Sequence, residues 1–97
     1  DSAPHTQMTK ENACGCAGIY SSHGGIEFYA EIFDKAGALD KLEAFASFNG
    51  PDFYGLPRNR DNITLSRKQS KIADSIPFGD EYCVPLRAGG TLEWALD

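Results

Sequence analysis

The first residues of the chain carry its most reactive combination. Asp1 and His5 set a carboxylate and an imidazole four positions apart, with Pro4 between them. Pro4 fixes its own φ and biases Ala3 toward extended backbone, so a stiff turn rather than a helix holds the two side chains. A carboxylate can ligate a divalent metal or carry a proton, and an imidazole can donate to an anion. The same two groups also meet in ordinary surface loops, and residue types alone leave both readings open. The other candidates are plainer. Cys14-Gly15-Cys16 is one close thiol pair without a second, a weak signal for zinc. His23, between Ser22 and Gly24-Gly25, reads as a solvated loop residue.

The elements that must position these residues follow from periodicity. Residues 1–25 show no regular period, are rich in Gly, Ser, Thr, Asn and Cys, and read as a loop. After Gly24-Gly25, Ile26, Tyr29, Ala30 and Phe33 fall at i, i+3, i+4 and i+7, with Glu27, Glu31 and Asp34 opposite. This spacing predicts a helix over 26–36 that stops at Gly37. Leu39, Leu42, Phe45 and Ala46 share the face of a second helix over 39–48, ended by Asn49-Gly50-Pro51. Pro51 is able to open one further turn through Tyr54. From Asn62 the period changes to two. Ile63 and Leu65 alternate with polar residues, and Lys71 to Ile76 is a weaker strand. Tyr82, Val84 and Leu86 face Leu92, Trp94 and Leu96 across Ala88-Gly89-Gly90 as a β-hairpin, with Pro85 restricting its strand to an edge. The expected class is α+β: a loop over 1–25 of the kind where function concentrates, two short helices within 26–55, and a small antiparallel sheet within 56–97.

Composition narrows the function classes. With 97 residues the chain makes at most one small domain, and 41% apolar content argues against general disorder. A net charge of −5 and the acids Asp52, Asp61 and Asp74 among the basic residues from Arg58 to Lys71 exclude a nucleic-acid surface. No apolar run is long enough to span a bilayer. Three cysteines, an odd number, suit a reducing, cytoplasmic setting better than a disulfide framework.

The pattern Asp1-x-Ala3-Pro4-His5-x4-Lys10 resembles the second sequence motif of the dihydroorotases, position by position. Cys14-Gly15-Cys16-Ala17-Gly18 is similar to its continuation in the single-chain bacterial type. So is the run from Phe45 through Asn49-Gly50-Pro51-Asp52-Phe53-Tyr54-Gly55-Leu56-Pro57. Val84-Pro85-Leu86 and Gly90-Thr91-Leu92-Glu93-Trp94 fit that family's C-terminus. The four blocks stand in register and cover essentially the whole chain.

The resemblance implies the C-terminal part of a (β/α)8 TIM-barrel zinc hydrolase that interconverts N-carbamoyl-L-aspartate and L-dihydroorotate in pyrimidine biosynthesis. It implies Asp1 at the end of the eighth strand, both as a ligand of a two-zinc centre and as the catalytic proton carrier. His5 is then the group that binds the substrate carboxylate, and Ala17 contacts the pyrimidine ring through its backbone. Dihydroorotases of this type resemble homodimers. The family's His-x-His pair and carboxylated lysine have no counterpart here, the only histidines being His5 and His23. The chain alone is therefore expected to hold no zinc pair and to be inactive. A dihydroorotase-like module that acts only through packing or oligomerisation is the alternative, and another cyclic-amide hydrolase is a third reading.

Overall fold

Thr6 opens the first regular element of the chain. In the computed structural model, which describes residues 1–97, its side-chain oxygen accepts from the Thr9 amide at 3.4 Å, and Thr9 Oγ1 donates back to the Thr6 carbonyl at 2.9 Å. This cap starts a one-turn helix, α1 (Gln7–Lys10), inside the stretch expected to be loop throughout. A 3-10 turn at Ser22–Gly24 then leads into α2 (Gly25–Lys35). The chain divides into two compact units, residues 1–25 with 70–92, and residues 26–69 with 93–97.

In the first unit, two short antiparallel ladders carry the core. β3 (Ile76–Phe78) pairs with β4 (Glu81–Cys83) through the two-residue turn Gly79-Asp80, with Gly79 at φ 64°. A positive φ at the first central position belongs to a hairpin turn whose twist matches the strands, and glycine adopts it without strain. Pro77 faces Tyr82 in the pair next to the turn-flanking one. In such a hairpin that pair exchanges no backbone hydrogen bonds, so the missing N–H costs nothing. β2 (Ser70–Lys71) pairs with β5 (Thr91–Leu92). Ile72, Cys83 and Leu92 are buried.

The hairpin expected between 82–86 and 92–96 is not formed. Pro85 bridges in parallel to Tyr20, whose carbonyl accepts from Leu86 N at 2.8 Å, and 81–83 takes 76–78 as its partner. The chain then turns tightly at 85–90, where Ala88 N donates to Pro85 O and Gly90 N donates to Arg87 O. Arg87 adopts φ 57° there. The segment on either side of Ala88-Gly89-Gly90 thus has no continuous ladder to share, and each half pairs elsewhere.

In the second unit, β1 (Leu65–Ser66) pairs with β6 (Ala95–Leu96). Together the three ladders nest in sequence, each enclosing the next between its strands. The buried residues of α2 are Phe28, Ala30 and Glu31, whereas Tyr29 is 43% exposed, so the helix presents a different face from the one its periodicity suggests. Glu31 tolerates burial because its carboxylate is partnered: Lys35 Nζ lies 2.6 Å from Oε1, and the Glu93 amide donates to Oε2. Tyr29 and Phe33 instead pack edgewise and tilted against Phe45 at 5.1 and 5.2 Å.

The second helical stretch is longer and less regular than expected. A 3-10 turn at Leu39–Lys41 is followed by a π-turn at Ala44–Phe48, which runs directly into α3 (Asn49–Tyr54). Pro51 has no N–H to give, and its ring opposes the carbonyl four residues back. The wider turn ahead of it is the usual accommodation of such a defect. Gly55, at φ 66°, caps the helix in the left-handed conformation. The class is α+β with antiparallel strand pairs, as expected.

Candidate functional site

The three residues singled out for chemistry all belong to the first unit and are all exposed. Backbone bonds define the segment that presents them. His5 N donates to the Ala3 carbonyl at 2.9 Å, a three-residue turn centred on Pro4. This is the stiff turn that proline predicts. Thr6, buried directly after it, begins α1, so His5 sits between the proline turn and a helix cap. Two fixed elements thereby set the backbone direction at the imidazole.

The loop that follows α1 returns to the same segment. Asn12 Oδ1 accepts from the amides of Cys14 at 3.0 Å and Gly15 at 2.7 Å, an Asx turn that reverses the chain with Gly15 at φ 43°. Cys16 N donates to Thr9 O, and the Lys10 ammonium donates to the Gly18 carbonyl at 3.1 Å. Ala3 N donates to Ile19 O at 2.9 Å, and Ser2 Oγ accepts from the amides of Ser21 and Ser22, each at 3.2 Å. Ala17 is thus held one residue from two of these ties. The structure brings the loop carrying Ala17 against the segment that contains Asp1 and His5.

His23 departs from the expected solvated loop residue. It is half-buried, its Nε2 lies 3.1 Å from the Leu86 carbonyl, and its ring stacks on Tyr20 at 5.7 Å. Its role is to tie the end of the loop to the start of the 85–90 turn, and sequence alone held no signal for a partner 63 positions away. Lys10 was legible only as part of a motif and Ser2 not at all, and their hydrogen bonds are a tertiary result. Cys14 and Cys16 are exposed, and Cys83 is buried.

The donor set does not amount to a metal centre. No group of three or more His, Cys, Asp and Glu side chains lies close enough to hold an ion. Stable zinc sites take several ligands in fixed geometry, so Asp1 and His5 do not make one by themselves. Neither do the two thiols. What the arrangement offers is an exposed carboxylate, an exposed imidazole and a tethered loop backbone, a set suited to proton transfer and to binding a small anion. No helix is long and apolar enough to cross a membrane.

No protein-family model matches the chain. It is 60% identical over 96 residues to a dihydroorotase of Nitrosococcus oceani and 57% identical over 96 residues to one of Vibrio cholerae, covering 99% of this chain each time. A dihydroorotase of Nitrosomonas eutropha is 64% identical over 96 residues. The chain spans about 28% of the length of these curated relatives. Among solved structures, dihydroorotase of Saccharomyces cerevisiae in complex with 5-fluoroorotic acid matches 100% of the chain with a TM-score of 0.91 at 34% identity, over 28% of its own chain. Dihydroorotase from Campylobacter jejuni matches 100% of the chain at a TM-score of 0.80 and 29% identity.

Proposed function

Since the chain belongs to the dihydroorotase family over the segment it spans, we propose that it serves the reversible hydrolysis of L-dihydroorotate to N-carbamoyl-L-aspartate in pyrimidine biosynthesis. The observation that carries this reading is the backbone match to the yeast dihydroorotase, TM-score 0.91 along the whole of this chain. That relative was solved with 5-fluoroorotic acid, a pyrimidine carboxylate, which supports a substrate of the same chemistry here.

The reaction opens a ring amide. A water oxygen attacks the carbonyl carbon, the C–N bond breaks, and the proton shed by the oxygen must reach the departing nitrogen. Asp1 is the group for that transfer: an exposed carboxylate accepts the proton from the attacking oxygen and returns it to the nitrogen. His5 donates a hydrogen bond to the substrate carboxylate. The backbone groups of Ala17 contact the ring, held by the loop that Lys10 and Cys16 tie down. Asp1 would offer one oxygen donor to a centre of two zinc ions per subunit, which would supply the activation of water and carbonyl; the further ligands such a centre needs would come from the rest of a (β/α)8 barrel. The working form is cytoplasmic and a homodimer.

A graft tests the reading. The matching 96-residue segment of the Nitrosococcus oceani relative is replaced by this chain, and dihydroorotate hydrolysis is assayed. Activity within about tenfold of the parent is expected. A folded, zinc-loaded graft without turnover overturns the proposal.

A further inference from the structure

The loop from Glu11 to Gly18 is exposed along its whole length, yet its return is closed by two contacts that the roles of Asp1, His5 and Ala17 leave unexplained. The first is the Lys10 ammonium on the Gly18 carbonyl. Lys10 is half-buried, and it spends its charge on a backbone oxygen eight positions away rather than on a carboxylate. The second is Gly18 itself. It sits at φ 99°, and a Cβ placed there would lie 2.4 Å from the Ala3 Cβ. A side chain at position 18 therefore fails twice, once on backbone conformation and once on the approach to Ala3.

These contacts join parts of the site that are otherwise separate. Ala3 opens the proline turn that sets His5, its carbonyl accepting from His5 N, and its amide is already bonded to Ile19 O. Gly18 follows Ala17 directly. Lys10 ends α1, whose cap begins one residue after His5.

We propose that Lys10 and Gly18 are positioning residues for substrate binding, together latching the loop so that the Ala17 backbone is fixed relative to the His5 turn. The inference rests on the proposed dihydroorotase reading for its functional consequence, and on the hydrogen bonds alone for its structural one. Neither residue touches substrate. The latch acts by removing loop conformations in which Ala17 misses the ring, so its loss weakens binding more than it slows chemistry.

Two measurements test it. In the active graft, Lys10→Met raises KM for dihydroorotate roughly three- to tenfold, the scale of one lost hydrogen bond, with kcat changed less than about twofold. Lys10→Arg restores most of the KM. Gly18→Ala, which removes no charge, raises KM in the same direction. A normal KM in Gly18→Ala together with a raised one in Lys10→Met marks Lys10 as an attractor for the substrate anion and overturns the latch, as does a normal KM in both. In the 97-residue chain, amide exchange at Cys16 and Ala3 is expected to be about threefold faster or more in Lys10→Met. Unchanged exchange overturns the latch whatever the activity of the graft, whereas loss of activity in the unsubstituted graft counts against the dihydroorotase reading alone.

Discussion

Arg67 holds Asp34 by both carboxylate oxygens across 33 residues of sequence, one of the two bonds at 2.7 Å, and the same guanidinium lies 4.8 Å from the centre of the Trp94 ring. The three residues tie α2, the end of β1 and the approach to β6 together within the second unit. Asp34 stays ionised below the ordinary carboxylate range, chiefly through the hydrogen bond from Arg67, against an opposing desolvation and with help from the Arg67 charge and Trp94. A carboxyl group whose folded pKa is lowered contributes stability that is complete above its unfolded pKa and lost as pH falls through the folded one. The tie should therefore loosen below about pH 4. Trp94 is the single tryptophan, so its fluorescence reports the event. An emission shift on acidification is expected, absent in Asp34→Asn and retained in Asp52→Asn. Equal shifts in the unsubstituted chain and both variants would refute the assignment.

The separate roles of Asp1 and His5 predict separate kinetic signatures in the grafted enzyme. Asp1→Asn keeps the shape and cannot take the proton, so kcat falls by roughly two or more orders of magnitude. His5→Ala removes a hydrogen bond to a charged group, about 1.5–3 kcal/mol, and raises KM by roughly one to two orders of magnitude. Steady-state kinetics with zinc content measured in parallel decide between them. An unchanged KM in His5→Ala makes His5 a structural partner of its turn.

The 97-residue chain by itself is expected to turn over no dihydroorotate and to retain no zinc pair through gel filtration. The absence of a three-donor cluster around Asp1 motivates this. Turnover by fragment purified free of host enzyme, or stoichiometric zinc by elemental analysis, contradicts it.

Large apolar side chains stand in solvent in the second unit: Phe53, Tyr54, Leu56 and Ile63 are 83, 74, 61 and 64% exposed. An exposed set of this kind drives association in water. Light scattering at increasing concentration should show oligomers. Phe53→Ser with Leu56→Ser should reduce them, and a strictly monomeric parent chain would refute the expectation.

How much of this was legible beforehand depended on the range of the interaction. The proline turn at Pro4, α2 and the class of the fold follow from local residue types, and they are where periodicity and φ restriction place them. The strand partners were not legible. Alternation over 82–86 and 92–96 is the same whether these segments pair with one another or with 76–78, 70–71 and 65–66. The decisive local signal was Gly79-Asp80 between Ile76-Pro77-Phe78 and Glu81-Tyr82-Cys83, a two-residue hairpin turn set in a stretch that Pro77 made look unlike a strand. The face of α2 was misjudged because a buried carboxylate, Glu31, counts as polar in any pattern, while its partners Lys35 and the Glu93 amide are visible only in three dimensions. In the site, residue types singled out Asp1 and His5. The ties from Lys10, Ser2 and His23 depend on tertiary approach, which spacing does not encode.

The nesting of the three ladders has a kinetic meaning. Once 76–78 closes on 81–83, the ends that form the 70–71 and 91–92 ladder are already near one another, and the outermost pair, 65–66 with 95–96, then joins across a span that is largely closed. Forming the outer pair first would mean closing the whole 67–94 stretch as a flexible loop, at a larger entropic cost. The chain is thus wired to zip from Gly79-Asp80 outward. Damage at that turn should slow folding, while loss of the Ser66 hydroxyl that donates to Asp97 at 2.6 Å should mainly hasten fraying from the outer end.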